Sequence, residues 1–219
     1  MSILPEPRVN VHVIDDDNDV RNSVDWTLRS VGYNVSLHSD SQEFLQTFDL
    51  AAPSCLVVDL LLPGMTGLKL CHELVGKRAN CTFVMLTGHG DVSSAVEAMQ
   101  LGAVDFIEKP CTRQKLIQSV QRAVDLLKSL HQESLEEEQA RRRFEMLSPR
   151  EREVFEWMVE GLVTKEIAVR LGISTKTVDV HRSKISQKLR IDSPTQLGHL
   201  VAVHLRGRNR RKGERRPGQ

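Results

Sequence analysis

Apolar and polar positions follow two rhythms along the first half of the chain. Runs dominated by apolar residues, Val9–Asp15, Asn34–His38, Cys55–Leu60, Thr82–Thr87 and Ala103–Glu108, have the length of buried strands. Between them, Asp19–Val31, Gln42–Phe48, Gly67–Val75, Ser93–Leu101 and a segment from Arg113 onward read as helices. Such alternation predicts βαβ units, and so an α/β domain built on a doubly wound, five-stranded parallel sheet. Gly32 and Gly102 fall just past two of the helices, where a left-handed residue closes the last turn.

Beyond that domain, Leu116, Val120, Val124, Leu127 and Leu130 keep a three-to-four spacing, and neither Gly nor Pro intervenes before Pro149. Gln121–Phe144 therefore reads as a helical or partly frayed linker. The acidic run Glu136–Glu138 faces the basic run Arg141–Arg143 across about one helical turn, which gives modest local support. A coiled-coil dimer seam is the alternative, although the apolar repeat fades after Leu135 and is short. A capping box then opens a second unit, with Ser148 as N-cap, Pro149 in the first helical position and Glu151 three residues on. Helices follow to about Glu160, over Lys165–Leu171, over Thr175–Arg190, and from Ser193-Pro194 to about Leu205. The expected division is 8–127 for the α/β domain, 128–145 for the linker and 146–205 for a small all-α domain. A basic tail at 206–219 is expected to be disordered.

Charge sharpens this division. The net charge of +1 conceals −6 over residues 1–127 and +6 over residues 206–219, so a polyanionic partner is expected at the C-terminal end. No apolar run approaches the roughly 18–20 residues of a membrane span. The start, Met1-Ser2-Ile3-Leu4-Pro5-Glu6-Pro7, lacks the layout of a signal peptide. Cys55, Cys71, Cys81 and Cys111 have no metal-site spacing and read as reduced thiols of a cytoplasmic protein.

The chemistry gathers at one edge. If the five strands are parallel, their carboxyl ends bring together Asp15, Asp16 and Asp17, then Asp59, Thr87 and Lys109. Taken alone, Asp59 could merely cap the following turn. Taken together, clustered carboxylates repel one another and call for a cation, and an all-oxygen set favours Mg²⁺. Lys109 and Thr87 can meet an anion opposite that ion. A carboxylate nucleophile, a divalent cation and a lysine are the parts of phosphoryl chemistry.

These residues carry a family resemblance. Val13-Ile14-Asp15-Asp16-Asp17, Asp59 through Gly67 (DLLLPGMTG), Leu86-Thr87-Gly88-His89-Gly90 and Asp105-Phe106-Ile107-Glu108-Lys109-Pro110 resemble the receiver domain of bacterial two-component response regulators, a flavodoxin-like fold. The resemblance implies that Asp59 accepts a phosphoryl group from a sensor histidine kinase. It implies Mg²⁺ held by Asp16, Asp59 and the carbonyl of Leu61, with Asp15 acting through water. It also implies Lys109 against the phosphoryl oxygens, a cis bond before Pro110, and Thr87 with Phe106 as a switch pair. Cys111 departs from the aromatic that relatives often carry. Leu61 and His89 flank the pocket at variable positions, and an apolar Leu61 cannot position an attacking water, so slow self-dephosphorylation is expected.

In the second unit, Lys165-Glu166-Ile167-Ala168-Val169-Arg170-Leu171-Gly172-Ile173-Ser174-Thr175-Lys176-Thr177-Val178 reads as helix, glycine-bearing turn, helix. With Leu147 through Val154 and Thr177-Val178-Asp179-Val180-His181-Arg182, it resembles the LuxR/NarL-type output domain. The whole order is most similar to the FixJ-type subgroup. By chemistry, Lys165, Thr175, Lys176, Lys184 and Lys188 suit phosphates, while Asp179, Val180 and Ser183 can face bases. Thr177 and Arg182 belong to the same candidate surface. Asp179 would repel phosphate, so it must meet a base donor such as cytosine N4, or Arg182. His181 reads as a core or backbone-positioning residue. The tail either adds salt-sensitive affinity or is a solvated terminus.

The resulting expectation is a phosphorylation-controlled regulator of transcription that acts on promoter DNA, with RNA polymerase as a further partner and a homodimer formed on phosphorylation. Two other readings compete. An aspartyl-phosphate hydrolase similar to the haloacid dehalogenase family needs a second Asp two residues after the nucleophile, where this chain has Leu61. An interaction module with an unused pocket fits poorly with the full set Asp15, Asp16, Asp59, Thr87 and Lys109.

Overall fold

A computed structural model describes residues 9–88, 90–191, 193, 196–198 and 200–202. His89, the tail at 206–219 and parts of the last expected helix lie outside the described residues. The chain divides at Gln132/Glu133 into two units.

In the first unit, strands and helices alternate: β1 (Asn10–Ile14), α1 (Asn18–Arg29), β2 (Asn34–His38), α2 (Ser41–Thr47), β3 (Ser54–Val58), α3 (Gly67–Gly76), β4 (Cys81–Thr87), α4 (Val92–Leu101) and β5 (Asp105–Glu108). Helix α5 (Arg113–Glu145) follows and runs unbroken through the stretch that the sequence marked as linker. The strands form one sheet in the order β2-β1-β3-β4-β5, and every pairing is parallel. The period-two pattern sorts the side chains. Val11, Val13, Cys55, Val57, Val84 and Leu86 pack with α1 and α5 on one face. Ile14, Leu56, Val58, Phe83 and Met85 pack with α2, α3 and α4 on the other. Central β3 is buried at every position, as a strand covered on both faces must be.

Helix starts are set by side chains that accept from orphan N–H groups. Asp17 accepts from the Asp19 and Val20 amides at 2.9 and 3.3 Å, and Asp91 from the Ser94 amide at 2.7 Å. Asp17, which the sequence placed among the clustered carboxylates, is thus a cap for α1. Helix α3 begins hard against β3. A Cβ on Gly67 would lie 2.0 Å from the Asp59 carbonyl oxygen, so only glycine lets the helix enter there.

The second unit contains α6 (Pro149–Val159), α7 (Thr164–Leu171) and α8 (Thr175–Leu189), with helical residues again at 196–198 and 200–202. Its core joins Val154, Phe155, Ile167, Ala168, Val178, Ile185, Leu189 and Leu200. Ala140 and Phe144 of α5 belong to this core, and the Phe144 and Phe155 rings meet edge-on at 5.0 Å. The last turns of α5 are therefore part of the helical unit. Gly172 closes α7 at a φ of 64°, the left-handed geometry that the turn between α7 and α8 needs. Among the described residues, no helix is long and apolar enough to cross a membrane.

The capping box at Ser148 is built as the sequence predicts, with the Glu151 amide donating to Ser148 Oγ and the Ser148 amide donating to Glu151 Oε2. Glu151 is also buried, and the Lys188 ammonium donates to the same Oε2 at 2.6 Å. The Lys188 hydrogen bond, followed by the Ser148 amide, pulls the Glu151 pKa down to about 2. Because this value lies below that of an unfolded carboxyl, roughly 4.3, the stabilisation is present above about pH 4.3 and is lost as pH falls through the folded value. The helical unit should weaken between about pH 4.3 and 2 in the full chain, read from Trp157 fluorescence in a Trp26→Phe background. Glu151→Gln should flatten that dependence and lower neutral-pH stability by about 1–2 kcal/mol, a modest figure because water screens the partly exposed Lys188.

Candidate acidic pocket and recognition helix

The pocket is assembled by the ladder that ends the sheet. The register that pairs Ile14 with Val58 carries on for one more residue, because the Asp59 amide donates to the Ile14 carbonyl at 2.9 Å. In the same way the Asp15 amide reaches the His38 carbonyl at 3.2 Å, and the Lys109 amide reaches the Thr87 carbonyl at 2.7 Å. Each side chain is thereby delivered to the carboxyl edge on backbone that cannot swing away.

Lys109 Nζ donates to Asp15 Oδ2 at 2.6 Å and to Asp59 Oδ2 at 3.0 Å. Both carboxylates are buried, so one ammonium compensates two charges. Asp15 Oδ1 accepts from the Asp17 amide at 3.0 Å. Asp59 Oδ1 is different, for it is buried and has no hydrogen-bond partner among the described residues. Burial raises the Asp15 pKa against the pull of Lys109. Burial also opposes the charged form of Lys109, but its hydrogen bonds to the two carboxylates outweigh that, and the Lys109 pKa is raised.

Asp16 is exposed at the mouth, and oxygens of Asp15, Asp16 and Asp59 lie within 4.8 Å of one another. Three carboxylates at that spacing, one of them with an orphaned buried oxygen, fit a hard divalent cation. Thr87 is fully buried at the end of β4, level with Glu108 of β5. Phe106 is half-buried against the core on the α2, α3 and α4 side. Leu61 is 49% exposed between the buried Leu60 and Leu62. The Lys109–Pro110 bond is cis.

On the second unit, α8 buries Val178, Ile185 and Leu189 and leaves Thr175, Lys176, Thr177, Asp179, Val180, Ser183 and Lys184 exposed, with Lys165 exposed on α7. Thr177 is engaged at the start of α8, where its amide donates to Ser174 Oγ and its hydroxyl lies 2.8 Å from that oxygen. Asp179 and Arg182 do not bond directly. Thr164 joins them, donating to Asp179 Oδ1 at 3.3 Å and accepting from Arg182 Nη1 at 3.4 Å. Thr164 is not among the residues singled out from the sequence, and nothing local signals its link to residues on another helix. Lys188 is the exception among the candidate phosphate contacts. Its ammonium is committed to Glu151 and to the Met146 carbonyl, so although the side chain is partly exposed its charge is spent on bracing the helical unit. His181 is half-buried, and its Nδ1 is buried without a hydrogen-bond partner.

Comparison with known proteins supplies the context for both sites. The response regulator receiver domain family matches residues 11–121, and the family of bacterial regulatory proteins, luxR family, matches residues 145–201. The transcriptional regulatory protein FixJ of Rhizobium meliloti (strain 1021) is 39% identical over 197 residues, covering 90% of this chain and 95% of that one. FixJ of Azorhizobium caulinodans is 40% identical over 200 residues, covering 91% and 94%. Among solved structures, the response regulator StyR aligns with a TM-score of 0.76 and 35% identity, over 89% of this chain and 98% of that one. Full-length FixJ from B. japonicum aligns at 0.54 and 34% identity, over 90% and 97%.

The double duty of Lys109 has a measurable consequence. Lys109→Met should lower the stability of the first unit by about 3–5 kcal/mol at neutral pH, because it leaves two buried carboxylates without their cation. The deficit should shrink toward pH 5, since an unpaired Asp15 takes up a proton more readily. Urea unfolding followed by Trp26 in a Trp157→Phe background reads both effects.

Proposed function

The chain belongs to the response regulators that join a receiver to a LuxR-type output domain, the FixJ group among them, and we propose that phosphorylation of Asp59 is the input that controls its binding to promoter DNA. The observation that carries this reading is the state of the Asp59 carboxylate. One oxygen is held by Lys109, while the other is buried and unpartnered beside Asp15 and Asp16. A buried oxygen without a partner is energetically exposed, and attack on phosphorus gives it one.

In this reading the phosphoryl donor is a phosphohistidine on a sensor histidine kinase. The free Asp59 oxygen attacks phosphorus, an O–P bond forms, the N–P bond breaks, and the imidazole leaves with the electron pair. Lys109 sits where it can transfer part of its charge compensation from Asp59 to the phosphoryl oxygens. Mg²⁺ fits the all-oxygen set of Asp16, Asp59 and the Leu61 carbonyl, with Asp15 supporting it through water, and when bound it supplies further neutralisation of phosphoryl charge. The Thr87 hydroxyl then follows the new anion, and the Phe106 ring moves with it, which makes a two-state element biased by a local charge change.

The receiver offers a surface for the next step. Val92, Val96 and Met99 recur along α4 and are 82%, 50% and 51% exposed, an apolar stripe beside β5. Such an exposed apolar stripe supports pairing of two receivers when the switch is thrown. Pairing brings two α8 helices to a two-fold-related site, with Lys165, Thr175, Lys176 and Lys184 toward phosphates. Asp179, Val180 and Ser183 then face base edges, with Thr177 and Arg182 on the same surface. RNA polymerase is the proposed downstream partner.

Acetyl phosphate with Mg²⁺ should convert the wild type to an acyl phosphate and tighten its promoter footprint. Asp59→Asn should form no acyl phosphate, and a footprint indifferent to the phosphodonor in the wild type would defeat the control step. Because Leu61 cannot hold an attacking water by hydrogen bonds, the acyl phosphate should persist well beyond seconds once the donor is removed, as followed by phosphate-affinity electrophoresis.

A further inference from the structure

Two glycines, Gly88 and Gly90, follow the end of β4, and they meet different surroundings. A Cβ built on Gly88 would meet no atom within 4 Å among the described residues beyond its chain neighbours. A Cβ on Gly90 would lie 2.8 Å from Phe106 Cε1, 3.3 Å from Phe106 Cζ and 3.6 Å from Thr87 Cγ2. Neither glycine has the left-handed φ that would require it for backbone reasons. At Gly90 the constraint is space alone. Carbon atoms do not pack at 2.8 Å, so with a methyl added either the ring or the Gly90 backbone must shift, and in both cases the contact between them changes.

The position of Gly90 gives that contact a consequence. It directly precedes Asp91, whose side chain caps α4 by accepting from the Ser94 amide at 2.7 Å. The ring that rests on Gly90 therefore rests on the entrance to the helix that carries Val92, Val96 and Met99. Phe106 lies on β5, and Thr87 ends the neighbouring β4. The Thr87 methyl, the Phe106 ring and the Gly90 backbone form one packed corner.

We propose that Gly90 is a positioning residue of the phosphorylation switch: its missing side chain makes the slot that holds the Phe106 ring, and through that contact a movement of the ring is passed to the N-terminus of α4. This deepens the reading above and rests on it for the part that concerns phosphorylation. It differs from a general need for small residues in the loop, because it singles out Gly90 and exempts Gly88.

The test uses the full chain labelled with para-fluorophenylalanine, whose six sites give fluorine resonances, with Phe106 assigned by its loss in Phe106→Leu. Gly90→Ala should displace the Phe106 resonance in the resting protein and leave the other five in place. It should also shrink the further shift that beryllofluoride with Mg²⁺ produces in the wild type, and with it the beryllofluoride-induced self-association seen in sedimentation. Gly88→Ala should leave the resting resonance where the wild type has it. Leucine at 106 lacks the two ring carbons that meet the added methyl, so Gly90→Ala in a Phe106→Leu background should self-associate like Phe106→Leu alone. If Gly90→Ala unfolds the protein and the double variant folds, the ring contact is again identified as the cause.

An unmoved Phe106 resonance in Gly90→Ala overturns the inference, as does an effect of the alanine that persists undiminished when residue 106 is leucine. A wild type that forms no acyl phosphate overturns the functional reading instead, while the resting spectrum still decides where the ring sits.

Discussion

Two buried carboxylates at the end of adjacent strands are tolerable only because one ammonium lies between them. Lys109 Nζ holds Asp15 at 2.6 Å and Asp59 at 3.0 Å, and the rest of the receiver exists around that arrangement. In a low-dielectric pocket, like charges this close would otherwise force protonation or local unfolding. A parallel sheet solves the placement, because it aligns all strand ends on one edge and locks each by its neighbour's hydrogen bonds. The compensation is incomplete by design of the donor count: three carboxylates gather where one lysine reaches two. That deficit of positive charge leaves an all-oxygen pocket suited to a hard divalent cation.

The same logic of committed and uncommitted charge separates the roles on the second unit. Lys188 and Glu151 tie α8 to the start of α6 and to the end of α5, so both are spent on holding the domain together. Lys165, Lys176 and Lys184 stand on exposed surface, where their charge is available to a polyanion. Asp179 and Arg182, of opposite sign on the exposed side of one helix, are spaced by the Thr164 hydroxyl. That holds the acidic group apart from its basic neighbour on this face. The short reach of Thr164 across to α8 is a product of helix packing.

Much of this was legible in residue order because each element obeys a local rule. The strands were marked by apolar runs and lie within one or two residues of the expected bounds, since period-two burial leaves little freedom. Ser148, Glu151, Gly102 and Gly172 marked helix ends through capping chemistry that needs no tertiary contact. Asp17 misled for the same reason: next to Asp15 and Asp16 it reads as a third pocket acid, yet Asp and capping go together wherever a helix follows. The linker was also drawn too generously. The faded apolar repeat after Leu135 conceals Ala140 and Phe144, two residues that matter only because a separate set of helices folds onto them.

The chain by itself determined the parallel α/β unit, the helix-turn-helix unit and the acidic strand ends, because periodicity, caps and strand-terminal position are properties of neighbours in sequence. Tertiary structure alone decided which groups share a proton, a charge or a surface. It assigned Lys109 to two carboxylates, withdrew Lys188 from the exposed cations, left one Asp59 oxygen without a partner, and set Phe106 against Gly90. Each of these pairings joins residues far apart in the chain or on different elements. Distances of a few ångströms between such groups follow from sheet register and helix packing, and no local pattern encodes them.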